Sequence, residues 1–211
     1  MESFIRVDQY NFIKSQAQAL INGHATAKDE DVLDALKSLV IEKITKAFEE
    51  LTTEQEDLIN PIVNIEDKEQ GELFVAELKP YVIPFNATEQ GIQKLFPKVK
   101  KLKVPSLDEL DLKEVTYLSW IDHSANKKFI VTRLKGKLVG IQGSFETTSH
   151  KGFCAICNGH ESVSMFLAKE KGKVQGTFTK RGNYICRDSE VCNQNLTSLD
   201  KLQEFIERLT K

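Results

Sequence analysis

No stretch of this sequence approaches the roughly 20 consecutive apolar residues that a membrane-spanning helix requires. Its start, Met1-Glu2-Ser3-Phe4-Ile5-Arg6, has no basic region followed by an apolar run, so no secretory signal is expected. Proline (5) and glycine (11) are scarce among 211 residues, which excludes collagen-like and wholly disordered readings. No phosphate loop, zinc-protease motif, nucleophile elbow or dinucleotide fingerprint appears, so the common enzyme classes have no foothold. These absences set the first expectation: a soluble, cytoplasmic protein that is not an enzyme and meets no membrane. What is present suits a folded chain. Hydrophobic residues make up 40%, including 12 Phe, and the length fits one large domain or two small ones.

The net charge of -2 hides an asymmetry. Residues 1–82 carry 8 Lys+Arg against 17 Asp+Glu, whereas the remainder carries 21 against 14. Two parts are therefore expected, 1–82 and 83–211, with the basic one better suited to an acidic partner. The first part reads as helices. Tyr10, Ile13, Ala17, Leu20 and Ile21 recur at three- and four-residue steps on one face. Asp29 or Asp31 can cap a second helix with a stripe of Leu33, Leu36, Val40, Ile44, Ala47, Phe48 and Leu51. Thr53 with Glu56 fits a capping box, and Asn60-Pro61 should end that third helix. A fourth stripe runs Gln70, Leu73, Phe74, Glu77, Leu78 and Tyr81. Four such helices with short links make a bundle. Their many carboxylates read as a solvated face rather than as acid/base pairs.

Between Pro84 and Pro105, Thr88 can cap a short helix carrying Ile92, Leu95 and Phe96. The run Lys98-Val-Lys-Lys-Leu-Lys-Val104 follows. It reads either as a linker or edge strand with solvated lysines, the favoured reading, or as a patch facing phosphate or an acidic protein. Beyond it the period shortens towards two. Val115–Ile121, Lys128–Leu134 and Lys137–Ile141 are rich in β-branched and aromatic residues, with turns at Ser124–Asn126 and Lys135-Gly136. An antiparallel meander is expected, with Trp120 in its core.

All four cysteines fall near the end of the chain, as Cys154-Ala-Ile-Cys157 and Cys186-Arg-Asp-Ser-Glu-Val-Cys192. A C-x-x-C turn can place two thiolates on one tetrahedral zinc. The second pair can add two more if Cys186 ends a strand and Cys192 lies in the first turn of a helix. Ser162–Leu167 and Gly176–Thr179 flank a Lys/Gly turn and suggest the intervening hairpin. Asp188 or Ser189 can cap the short helix, and Thr197 or Ser198 can start a longer one through Leu199, Leu202, Phe205, Ile206 and Leu209. Knuckle, hairpin and helix describe a treble-clef zinc finger over about 151–211, with one structural zinc per chain. Four inert thiols, two disulfides or a redox pair fit the spacing and context less well. His150 and His160 read as surface residues, because four thiolates already close the shell. A closed shell has no open position for a substrate.

A finger also holds side chains rigid. Phe153 precedes the first ligand, Lys180-Arg181-Gly182 is a basic turn, and Tyr184 lies two residues before Cys186. Aromatics and arginine on a rigid base suit a protein interface, and the same groups can stack on bases. Four thiolates and one zinc would leave residues 151–211 only weakly basic.

KGFCAICN, ESVSMFL, GNYICRDSEVCNQNL and the KKFIV strand resemble the FusB-type fusidic-acid-resistance proteins. The loop Asn158-Gly159-His160-Glu161 is one residue longer than the family's, Ile121 stands where Asn is usual, and Asn183 replaces an Asp. The resemblance implies an α+β fold: a helical bundle followed by a mixed α/β domain with an antiparallel sheet and a treble-clef finger. It also implies 1:1 binding to elongation factor G, transient contact with the ribosome, and release of the factor from ribosomes stalled by fusidic acid. Family match makes Phe153, Arg181, Tyr184 and Phe205 partner-binding residues, with Lys180 and Arg187 beside them. Arg181 stands where Lys is common. By periodicity alone Phe205 is a core residue. The alternative expectation is a zinc-dependent RNA-binding protein associated with translation, in which direct RNA contact replaces the factor.

Overall fold

The computed structural model describes residues 1–171 and 178–210. The chain divides into two compact units, Met1–Ile83 and a second from Pro84 onward. Among the described residues no helix is long and apolar enough to cross a membrane.

The first unit holds α1 (Val7–Thr26), α2 (Glu30–Lys46), α3 (Thr53–Ile59) and α4 (Lys68–Leu78), with 3-10 turns at Asn60–Asn64 and Lys79–Tyr81. Tyr10, Ile13, Ala17 and Leu20 of α1 bury against Val40 and Ile44 of α2 and Phe74 and Leu78 of α4. Polar groups also cross between helices. The Gln9 amide donates to the Ala47 carbonyl at 2.7 Å, and the Tyr10 hydroxyl donates to the Val75 carbonyl at 2.9 Å. Asp29 caps α2 by accepting from the Asp31 amide.

Three details of the sequence pattern shift. The capping box of α3 is Thr52 with Gln55, one residue earlier than expected, because the Gln55 side chain accepts from the Thr52 amide at 2.9 Å. The α2 stripe overruns its helix, which stops at Lys46, so Phe48 and Leu51 pack from the following loop. Leu73, assigned to the apolar face of α4, is 61% exposed, because Phe74, Leu78 and Gly71 carry that face. The unit closes on itself: Ile5 and Val82 form a parallel bridge, and the Ile83 amide donates to the Ile5 carbonyl at 2.8 Å.

The second unit begins with α5 (Glu89–Leu95), capped as expected by Thr88, which accepts from the Gly91 amide at 3.1 Å. Six antiparallel strands follow: β1 (Leu118–Asp122), β2 (Lys127–Leu134), β3 (Lys137–Phe145), β4 (His150–Phe153), β5 (His160–Lys171) and β6 (Phe178–Cys186). Their order is β1-β2-β3-β5-β4, and β6 pairs with β5. Two short helices, α6 (Ser189–Gln194) and α7 (Asp200–Leu209), complete it. The turn expected between Leu167 and Gly176, and the first two residues of the strand expected to follow it, Gly176 and Thr177, fall mostly on residues 172–177, which lie outside the described residues.

Strand β2 is buried on both faces, which is why it reads as a continuous apolar run. Phe129 and Val131 join Phe85, Ile92, Phe96 and Leu118 in one cluster. Ile130 faces the other way, to Ile141, Phe145, Phe166, Phe205 and Ile206. Trp120 stacks on Phe129 at 5.1 Å and meets the edge of Phe96 at 6.2 Å, so it is a half-buried core ring. The β2–β3 turn runs through Lys135 (φ 50°) and Gly136 (φ 77°), the left-handed pair that a two-residue hairpin needs. At Gly182 a Cβ would lie 1.7 Å from the Phe166 carbonyl oxygen, so only glycine lets β6 approach β5 there.

Candidate metal centre and partner surface

Cys154 and Cys157 flank the turn after β4, Cys186 ends β6, and Cys192 lies in the first turn of α6. Their four sulfurs all lie within 4.8 Å of one another. Cys154 Sγ is 3.7 Å from Cys192 Sγ, and Cys157 Sγ is 3.7 Å from Cys186 Sγ. A disulfide requires about 2.05 Å, so neither pair is bonded. Zinc with Zn–S of about 2.3 Å gives tetrahedral edges of roughly 3.8 Å, which these separations fit.

The local backbone explains why the sulfurs converge. The Cys154 amide donates to the Gly159 carbonyl at 3.0 Å, and the Asn158 amide donates to the Cys154 carbonyl at 2.9 Å, closing the knuckle. Asn158 takes a left-handed φ of 59°, which asparagine tolerates. The amides of Ile156, Gly159 and Cys186 donate to sulfur at 3.4, 3.4 and 3.2 Å. Such donors favour thiolate over thiol. Asp188 caps α6 by accepting from the Glu190 amide at 2.8 Å, which aims Cys192 inward. Without a cation four thiolates so close together, three of them buried, would repel. Hydrogen bonding to the Cys154 sulfur is the largest cause pushing the Cys186 and Cys192 thiols well above their ordinary range, and burial adds to it. A divalent ion removes that conflict, and the four cysteines could bind one structural zinc.

Three buried residues around the cysteines escape sequence reasoning. Lys128 is fully buried, and its ammonium donates to the carbonyls of Cys186 (3.4 Å) and Arg187 (3.1 Å) and to the Ser189 hydroxyl (3.0 Å). Burial lowers its pKa to about 8, while the sulfurs of Cys192, Cys186 and Cys154 act in the opposite sense. The Asn193 side chain accepts from the Thr116 and Tyr117 amides at 2.8 and 3.1 Å and donates to the Tyr117 carbonyl at 3.0 Å. It clips α6 to the segment entering β1. Tyr117 is buried beside the cysteines, and burial first, then the Cys192 sulfur, pushes its phenol well above the usual value. Only a basic residue within an apolar strand, Lys128, left a trace in the sequence.

Phe153, adjacent to the first cysteine, is 70% exposed, its ring 5.1 Å from that of His160. Tyr184 is 37% exposed and meets the His150 ring edge-on at 4.6 Å. Lys180, Arg181 and Arg187 are exposed. Arg181 donates to the Arg208 carbonyl at 3.3 Å, and Arg187 donates to the Thr147 carbonyl. Phe205 stands apart. It is 6% exposed and packs against Phe166 at 5.9 Å, as its helical period requires. Its edge lies among Ala155, Arg181, Leu209 and Arg208 in the lining of a depression of about 190 Å³.

Knuckle, β5–β6 hairpin and the helix bearing Cys192 define a treble-clef zinc-finger protein. Residues 95–209 match the family model for the FBP C-terminal treble-clef zinc-finger. Residues 4–86 match that for the N-terminal region of elongation factor G-binding proteins. The solved structure of the fusidic acid resistance protein FusC is similar at a TM-score of 0.87 and 38% identity, covering 99% of this chain and 98% of that one. No curated protein matches the chain. The chain belongs to the elongation factor G-binding family whose second part is a treble-clef zinc finger.

Proposed function

We propose that this protein binds elongation factor G, one molecule to one, and confers fusidic acid resistance by promoting the factor's release from ribosomes on which the drug has stalled it. The full-length likeness to a fusidic acid resistance protein carries the reading, and the family of the first part supports the partner. The contact surface is the exposed face of the finger: Phe153 and Tyr184 as aromatic anchors, with Lys180, Arg181 and Arg187 around them. Phe205 contributes as the buried support of the neighbouring depression. Rigid aromatics lose little conformational freedom on binding, which is why they dominate interface energetics. Release needs no covalent chemistry. A partner that prefers one conformation of the factor shifts its population by its differential affinity.

Titration calorimetry of the zinc-loaded protein into purified elongation factor G, without ribosomes, tests the partner. Tight 1:1 binding is expected, weakened about 30-fold or more by Phe153→Ala or Tyr184→Ala, the equivalent of about 2 kcal/mol each. Absence of binding by both heat and co-elution would overturn the partner. Equal dissociation rates of drug-stalled factor with and without the protein would overturn the release step alone.

A further inference from the structure

The lysine run between α5 and β1 is left unused by the proposed function. Residues 98–104 form neither helix nor strand. Val99, Leu102 and Val104 instead pack against the cluster of Phe85, Ile92, Phe96 and Phe129. With the aliphatic side chains held inward, Lys98, Lys100, Lys101 and Lys103 are all exposed. None of these four is in an ion pair among the described residues. Elsewhere, Lys46, Lys68, Lys135, Lys151 and Lys201 each pair with a glutamate. The strip is therefore a pinned segment that keeps four positive charges exposed, of which only Lys103 is felt by a carboxylate, that of Asp122.

We propose that Lys98, Lys100, Lys101 and Lys103 form a docking strip for the phosphate backbone of RNA. The segment turns at Lys98 and at Lys100-Lys101, so its lysines span less than the roughly 20 Å that six extended residues would reach, a compact group of charges that faces neighbouring phosphates. Lysines are compact point charges on flexible stems, suited to a line of like charges rather than to the two-oxygen geometry of one carboxylate. The strip has no aromatic or guanidinium group to read a base, so the contact is independent of sequence. Its backbone is already held by three apolar anchors, so binding orders only lysine side chains. Cation release from RNA supplies the driving force. Four lysines release only a few cations, so the affinity is modest and falls with salt.

The test is fluorescence anisotropy of a labelled 20-nucleotide single-stranded RNA with the full zinc-loaded chain, from 50 to 300 mM salt. The wild type should bind with an affinity that falls steeply with salt. The variant K98Q/K100Q/K101Q/K103Q should bind at least tenfold more weakly at 50 mM, with the slope of log K against log salt reduced by about 2 to 3. Unchanged zinc content and melting temperature would show that the variant folds. Its calorimetric binding to elongation factor G should be unaltered, which separates this strip from the finger surface. A variant that retains the wild-type slope, or a wild type that fails to bind at 50 mM salt, would overturn the proposal. Displacement of the RNA by poly-L-glutamate at equal charge concentration would also overturn it, in favour of an acidic protein.

Discussion

Residues 1–83 bury Ile13, Leu20, Ile44, Phe74 and Leu78 between helices whose own backbones satisfy most of their polar groups. The finger half of the second unit has an apolar core too, with Ile156, Phe166, Ile185, Phe205 and Ile206 in it, but some of the elements around it are very short. Its β4 is four residues long, its α6 six, and α6 is tied to the sheet by Asn193 and to the knuckle by the cysteines. Elements this short do not persist in water by propensity. In the first unit apolar area is the main cohesive term, whereas the finger adds to its apolar core one point where four sulfurs meet. The lesson is that the two units answer to different perturbations, and the single Trp120 lies in only one of them.

Removing the metal should have the largest effect. Structural zinc contributes about 10–16 kcal/mol of apparent binding energy, comparable to or larger than the whole stability of an ordinary domain, about 5–15 kcal/mol. Chelation, or Cys186→Ser, should unfold the finger and shift Trp120 emission while far-ultraviolet circular dichroism keeps the signal of α1–α4. Coincident loss of both signals would break the comparison by showing one cooperative unit.

Leu20→Ala should do the reverse. Leu20 is fully buried in the helical core, and such truncations cost about 2–5 kcal/mol. Helical ellipticity should melt at lower urea concentration, with zinc content and Trp120 emission retained. Lys128→Ala sharpens the contrast from the other side. It strips the donor from the Cys186 and Arg187 carbonyls and removes the positive charge beside the thiolates. A loss of about 2–4 kcal/mol is expected. It should appear in the urea midpoint read by Trp120 and as faster transfer of zinc to a chromophoric chelator.

Smaller effects should follow at the helix ends and surface. Thr52→Ala removes the α3 cap and should cost about 1 kcal/mol. Leu73→Ser should change stability by less than about 0.5 kcal/mol, since the side chain is mostly solvated. A large loss there, measured by urea unfolding, would restore Leu73 to the apolar stripe.

The parts legible in the sequence are those decided by neighbours in the chain. The α1 stripe, the Thr88 and Asp29 caps, the Lys135-Gly136 turn and the C-x-x-C knuckle all depend on residues a few positions apart, and all appear where their pattern places them, while the α2 stripe runs past the end of its helix. Leu73 and the α3 cap slipped because adjacent residues, Phe74 and Thr52, competed for the same role. Lys128, which left only a basic residue in an apolar strand as its trace, and Asn193, which was illegible, were hidden for a different reason. Their partners lie 58 and 76 positions away, respectively, and no local pattern encodes such a distance. Phe205 carries two expectations: its own period gives a buried position, which is where it lies at 6% exposed, and the resemblance gives a partner contact, for which the depression that it lines offers a place.

The parallel bridge between Ile5 and Val82 has a practical consequence for anyone building with this chain. A unit whose first and last backbone segments meet at such a bridge enters and leaves close together. It can be spliced into a surface loop of an unrelated host without prying that loop apart, and new termini opened in the links between its helices would leave the old ends close enough to be sewn together.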